Sequence, residues 1–237
     1  MDSKRAEAFS DGVFAVAITV LVFNLLGTAS GSHTLTYRLL LNGWPNYFAY
    51  AVSFLTIGIM WMNHHAMFSY VNRVDRRLLV FNLFLLMGVV AIPFPTALVA
   101  EQLNAAAQAS GKAEVAAATA GGMTAAVAYG IVMIAISIGY STMWLYMAAR
   151  QQQLGVVGRP MRMPRASNLR FSAGLGGYVA GTLIAAFVSG VAGLAIYGLL
   201  AVYYLFDHLP DTTGPADLAV GADADADEAA RPESPPI

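Results

Sequence analysis

Lys4-Arg5-Ala6-Glu7-Ala8-Phe9-Ser10-Asp11-Gly12-Val13-Phe14-Ala15-Val16-Ala17-Ile18-Thr19-Val20-Leu21-Val22-Phe23-Asn24-Leu25-Leu26 is the stretch that decides the class of this chain. Residues 12–26 carry no charge, while Arg5, Glu7 and Asp11 crowd the two turns before them. At 1.5 Å per residue, 6–26 extends about 30 Å as a helix, the thickness of a bilayer's hydrocarbon core. The stretch is predicted to cross a membrane. Gly12, Val16, Thr19 and Phe23 recur at i, i+4, i+7 and i+11, so they stack along one helix face in order of depth. A threonine in such a row commonly bonds the carbonyl one turn back. An ionisable residue at the end of a membrane helix is a functional candidate, although Asp11, helped by Ser10, also reads as an ordinary helix cap.

The remaining sequence agrees with a membrane protein. Of 237 residues, 57% are hydrophobic and 11% charged, with a mean hydropathy of +0.59; soluble domains carry charge on about a quarter of their residues. The chain is therefore read as an all-α, polytopic membrane protein. It has no cysteine, which removes disulfides, thiolate metal sites and thiol redox chemistry. No small-residue cleavage pattern follows the first apolar core, so that core is expected to be a structural helix.

Six transmembrane helices are the most economical reading, at about 6–26, 44–68, 78–99, 122–146, 169–188 and 191–206. Pro45 suits the first turn of the second. Pro93 and Pro95 should kink or end the third near Ile92. The stretch 101–114 reads as a polar excursion, and the charge-free run 171–206 is long enough for two short spans if the chain turns near Ser189-Gly190. With the amino end inside, Lys4, Arg5, Arg73, Arg76, Arg77, Arg150, Arg159, Arg162, Arg165 and Arg170 face the cytoplasm, against Arg38 and Lys112 outside. That asymmetry supports an integral protein of the cell membrane with both ends cytoplasmic. The tail 207–237 is acidic and poor in large apolar residues, and is expected to be disordered.

A second polar cluster, Trp61-Met62-Asn63-His64-His65, sits near the inner end of the second span, at the predicted depth of Arg5 and Asp11. Adjacent histidines point about 100° apart on a helix, and no Cys, Asp or Glu follows at i+3 or i+4 to complete a metal site. The cluster reads as a polar network under the inner mouth, or as interfacial anchoring of a helix end. Ser137-Ile138-Gly139-Tyr140-Ser141 looks like a potassium-channel filter loop but has no break before it, so it is assigned to the fourth helix and no re-entrant filter is expected.

Arg5-x-x-x-Phe9-Ser10-Asp11, followed at once by Gly-Val-Phe-Ala-Val-Ala-Ile-Thr, resembles the signature of the transmembrane protein 175 family of potassium channels. The resemblance implies a potassium-permeable cation channel whose pore is lined by the first helix of each subunit. It places a hydrophobic constriction at Val16, where the family usually has isoleucine or leucine, a selectivity-bearing threonine at Thr19 and a further apolar layer at Phe23. Phe23 is then expected to share the gate with the smaller Val16. Trp61, Asn63 and His64 or His65 are implied to brace the Phe9-Ser10-Asp11 triplet, with Arg5 beside it. The second half has no complete copy of the signature, since Leu169-Arg170-Phe171-Ser172 lacks the aspartate. One signature per chain implies a homotetramer.

No catalytic motif is present: neither paired carboxylates in the spans nor His-Glu-x-x-His, Gly-x-Ser-x-Gly or a phosphate loop. The chain is read as no enzyme, with no cofactor beyond permeant potassium and no nucleic-acid partner; its partners are three copies of itself and the bilayer. Two readings from other classes stay open. A proton-coupled secondary transporter would titrate Asp11 and His64 or His65, with Pro93 and Pro95 the only hint of a broken helix. A non-conducting membrane scaffold would explain the apolar mass and acidic tail, but not the signature.

Overall fold

The computed structural model describes residues 2–26, 41, 43–156 and 165–206. The loop at 27–40, Arg159, Arg162 and the acidic tail from 207 lie outside the described residues. Among those described, the chain is helical, with two isolated bridges, Asp2 to Arg73 and Val71 to Val156, and no strand.

Helix α1 (Ser3–Val20) begins where the Asp2 carboxylate accepts the Lys4 N–H at 3.2 Å, a side-chain cap. It is tied to the next connection by the Ser3 N–H, which donates to the Asn72 carbonyl at 3.2 Å. Its end differs from the continuous helix expected over 6–26. The N–H groups of Val22, Asn24 and Leu25 donate to the carbonyls of Thr19, Leu21 and Val22 at 3.2, 3.1 and 3.0 Å, a tight three-residue turn that separates α1 from α2 (Phe23–Leu26). The Asn24 side chain then donates to the Pro93 carbonyl at 3.2 Å, holding α2 against another helix.

That partner is itself a broken rod. Helix α4 (Arg76–Ala91) and helix α5 (Pro93–Gln108) meet at Ile92, because Pro93 and Pro95 lack the N–H groups that would continue the ladder. The Ile92 N–H falls back on Val89 O at 3.1 Å. Helix continues to Gln108, past the point where the sequence suggested a polar excursion, so the apolar rod spans Arg76–Gln108. Helix α3 (Trp44–Phe68) precedes it, with Pro45 in its first turn. Helix α6 (Lys112–Ala149) is one unbroken helix of 38 residues, and α7 (Gln151–Leu154) ends on Gly155, whose φ of +60° is left-handed and needs glycine. Helices α8 (Arg165–Phe187) and α9 (Gly190–Phe206) form a hairpin turning at Val188 and Ser189.

Ser3–Leu25, Arg76–Gln108 and Lys112–Ala149 are each long and apolar enough to cross a membrane, and Gly174–Phe187 and Gly190–Leu205 are shorter apolar helices. Helix α3 has the length, about 37 Å at 1.5 Å per residue, but is punctuated by Asn46, Ser53, Thr56, Asn63, His64 and His65. Helix α6 is the axis on which α4, α5, α8 and α9 pack, while α1 packs on α3 and α4. The α4–α6 contact is close because each helix offers a glycine: a Cβ on Gly88 would lie 2.8 Å from Ile136, and one on Gly139 would lie 3.2 Å from Leu85. Ser137 to Ser141 is therefore helical, with Gly139 serving packing.

One end of the bundle is closed by Asp75. Its carboxylate caps α4 by accepting the Leu78 N–H at 2.8 Å and also accepts the Tyr146 hydroxyl of α6. Partial burial pushes the Asp75 carboxyl up, but the Tyr146 and Leu78 hydrogen bonds, with the Arg150 and Arg77 charges, outweigh it and hold the carboxyl below its ordinary value. A depressed carboxylate stabilises the fold above its unfolded pKa, and that contribution disappears as pH falls through the folded one. Asp75→Ala is expected to cost about 1–2 kcal/mol at neutral pH, the range for losing a helix cap. The gap between wild type and variant, read by thermal unfolding in detergent, should begin to narrow below about pH 3.9 and close once pH falls through the lowered folded value.

Candidate functional site: the first helix and its buried anchor

Helix α1 has two unlike faces. Ser3, Ala6, Ser10, Phe14, Ala17 and Leu21, spaced by three or four residues, are buried against α3 and α4. Arg5, Phe9, Gly12, Val16, Thr19 and Phe23 run along the opposite side and are uncovered within the chain. Phe9 and Val16 are each 56% exposed and Phe23 63%. The row first noticed from Gly12 to Phe23 therefore extends back through two signature residues, Arg5 and Phe9.

The buried face is fastened by a polar chain of defined direction. The Ser10 hydroxyl donates to the Ala6 carbonyl at 2.9 Å and accepts the Asn82 amide at 2.9 Å, while Asn82 Oδ1 lies 2.8 Å from His64 Nε2. Because the Asn82 oxygen is left to face the ring, Nε2 carries the proton in this arrangement. All three residues are buried. The imidazole stacks on Phe68 with centroids 4.6 Å apart and tilts against Phe14 at 5.3 Å, so α1, α3 and α4 meet at one histidine. Its Nδ1 has no hydrogen-bond partner.

Two further contacts clamp α1 to α3 at the edge of that face. Trp61 Nε1 donates to Asp11 Oδ1 at 2.8 Å, and His65 Nδ1 lies 2.6 Å from Glu7 Oε1. Asp11 is thus held by an indole. Arg5 is exposed and forms no ion pair with Asp11 among the described residues. Asn63 points elsewhere: its amide donates to Ile59 O at 2.9 Å on its own helix, and the residue lines a cavity on the far side of α3. Of the four α3 residues expected to brace the triplet, Trp61 reaches it directly and His64 through Asn82, whereas His65 meets Glu7, one turn before it. The two histidines diverge, one inward and one to the surface, and no group of three His, Asp or Glu able to hold a metal occurs among the described residues.

Asn82 is the residue that sequence reasoning missed. Its signal was present: a lone amide inside Leu78-Leu79-Val80-Phe81-Asn82-Leu83-Phe84-Leu85-Leu86, where an unpaired polar group would be costly and a cross-helix hydrogen bond is expected. Asn24, in a similar apolar setting, finds Pro93 by the same logic. Thr19 donates its hydroxyl proton to Val16 O at 2.8 Å, which leaves the oxygen lone pairs to the uncovered side.

Apolar helices of bilayer length, joined through a buried polar network, define an integral membrane protein. The family model described as endosomal/lysosomal potassium channel TMEM175 matches residues 5–93, the region that holds every member of this network. Over 213 residues the chain is 43% identical to a potassium channel of Streptomyces collinus, covering 90% of this chain and 96% of that one. Over 158 residues it is 38% identical to a potassium channel of Chamaesiphon minutus, covering 65% and 70%. The crystal structure of a lysosomal potassium-selective channel TMEM175 homolog from Chamaesiphon minutus aligns with a TM-score of 0.64 and 31% identity, covering 86% of this chain and 96% of that one. The chain belongs to the TMEM175 family, whose matched members here are channels and not enzymes.

Asn82→Leu is expected to remove both bonds that Asn82 makes and to strand the His64 N–H, while the Ser10 hydroxyl keeps its bond to the Ala6 carbonyl. Leaving buried groups unpaired costs about 1–3 kcal/mol, so the variant should melt at lower temperature in detergent. Ser10→Ala, which removes one end only, should cost less. Equal midpoints for wild type and Asn82→Leu would remove the network from the account of α1's position.

Proposed function

We propose that the protein is a potassium-permeable cation channel whose pore is lined by α1 and α2 from four copies of the chain. The observation that carries this reading is the uncovered row Gly12, Val16, Thr19 and Phe23 on a helix whose other face is anchored by Ser10. One such row cannot enclose a path, so the pore requires copies around an axis. The relatives' names support potassium as the permeant ion. In this reading the chain crosses six times, with α1 and α2, α3, α4 and α5, α6, α8 and α9 as the spans. The arginine and lysine distribution supports an orientation with both ends on the cytoplasmic side of the cell membrane.

In this reading Val16 and Phe23 form two apolar layers that close the pore by excluding water, and Thr19 forms the polar layer between them. Each Thr19 oxygen offers a lone pair to a partly hydrated cation, since its own proton is committed to Val16 O. A ring of hydroxyls offers fewer ligands than stacked carbonyl cages, so the potassium preference should be modest. Trp61, His64 and His65 act from behind, positioning α1 without facing the ions, and Asp11 has the same supporting role through its bond to Trp61. The transporter reading is weakened because His64 is sequestered on the buried face, away from the row, while Asp11 and His65 are engaged by Trp61 and Glu7. No cofactor is required.

Purified protein in proteoliposomes under mixed potassium and sodium gradients tests the proposal. Wild type is expected to conduct, with a reversal potential on the potassium side. Thr19→Val keeps the side-chain shape and removes the oxygen, and should move the reversal potential toward the sodium side. No flux from the wild type contradicts the channel reading; an unchanged reversal potential in the variant contradicts the role of Thr19.

A further inference from the structure

Helix α3 turns a second face away from the proposed pore, and that face is hollow. Phe48, Val52, Thr56, Met60 and Asn63, spaced by three or four residues, line two cavities that adjoin at Thr56. The opposite wall is α9, where Val191, Leu194, Gly198, Ala201 and Tyr204 recur at the same helical spacing. Between Phe48 and Asn63 the groove runs about 22 Å at 1.5 Å per residue, most of the hydrocarbon thickness of a bilayer. Its larger part holds about 350 Å³ and its smaller part about 60 Å³. The volume of the larger part falls in the range of about 300–1,000 Å³ typical of ligand sites. No residue of α1 or α2 lines either part.

We propose that this groove is a lipid site that sequesters one acyl chain of a membrane phospholipid lengthwise between α3 and α9, with the ester end at Tyr178. The larger cavity offers water little to bind. Ser53 is bonded to Thr96 at 2.8 Å, Thr56 to Val52 O at 2.8 Å, and the Tyr197 hydroxyl to Thr182 and Ala126 O at 2.9 and 3.2 Å. A wall with its polar groups already paired is wetted poorly, and left empty it forfeits dispersion contacts along its length. Hydrocarbon is the solvent around this part of the molecule, so a chain is the available filler.

The smaller cavity differs in one respect. Tyr178 is 5% exposed, lines that cavity, and its hydroxyl makes no hydrogen bond among the described residues. A phenol at the wall of a cavity can donate its proton to a guest, and an ester carbonyl supplies the acceptor. The larger part is open at Gly198, where an added Cβ would meet nothing within 4 Å. A glycine facing free space on an apolar helix serves no packing contact within the chain; here it widens the groove.

The test uses the full chain purified from phosphatidylcholine membranes, stripped extensively with detergent and then extracted for phospholipid. A parallel preparation contains phosphatidylcholine carrying a diazirine midway along its acyl chain. Wild type should retain a single phospholipid per chain and, once probe lipid loosely held at exposed surfaces such as Phe187 and Val188 has been washed away before irradiation, be photolabelled at Val52 and Leu194. Gly198→Leu and, independently, Ala195→Phe fill the groove and should each lose retained lipid several-fold without a lower melting temperature. Tyr178→Phe should reduce retention by removing only the hydroxyl. Retention that is absent from wild type, or undiminished from wild type in all three variants, overturns the proposal, as does photolabelling confined to Phe187 and Val188. Efficient disulfide formation between cysteines at Val52 of one copy and Leu194 of another would overturn it too, because a second copy would then cover the groove.

Discussion

The anchoring of α1 through Ser10, Asn82 and His64 is the constraint on which the rest of the structure depends. A hydrogen-bonded chain buried between three apolar helices has few alternative arrangements, because another rotation of α1 would leave the buried Asn82 N–H without the Ser10 oxygen that accepts it. Rotating α1 by one residue would carry Ser10 about 100° away from Asn82 and bring an apolar side chain to the amide. The network therefore fixes the azimuth of the helix, and the azimuth decides which residues stay uncovered. Trp61 on Asp11 and His65 on Glu7 repeat the same constraint at the edge of the face, where solvent weakens each bond but geometry still counts.

The signature reads differently once these contacts are known. Its four named positions do not form one cluster. Ser10 faces the core, Asp11 lies at the seam with α3, and Arg5 and Phe9 continue the uncovered row. The anchor and the exposed surface are thus encoded in adjacent residues, which is why a short contiguous motif can specify a helix's rotation. At the other end, the tight turn after Thr19 and the proline break at Ile92 meet through Asn24 and the Pro93 carbonyl. Two interrupted helices support each other there, and Phe23 is carried beyond the interruption on its own short helix.

Much of this was legible in the sequence, for identifiable reasons. The period of Gly12, Val16, Thr19 and Phe23 follows from helix geometry alone, and the same face is uncovered in the structure. The divergence of His64 from His65 and the break at Pro93 follow from equally local rules. Long-range partners were hidden because pairing depends on how helices pack, which local periodicity does not contain. Asn82 could have been flagged as an amide in an apolar run, but nothing in its spacing points to Ser10, 72 positions earlier. Arg5 was expected beside the triplet, yet Arg5 and Asp11 lie six residues and about 120° apart around the helix, and Trp61 takes the carboxylate instead. The end of α1 was missed because 3₁₀-type turns leave no signal in an apolar run free of glycine and proline.

The central claim is that α1 presents Val16, Thr19 and Phe23 to an aqueous path. The chain has no native cysteine, so single cysteines at these positions can be probed without background. Rates of reaction with a membrane-impermeant thiol reagent, measured together with ion flux, test it most directly. The account predicts that all three react from water when the channel conducts and that modification changes the flux. It is contradicted if they react no faster than cysteines at Leu83 or Val202, which are exposed on other helices.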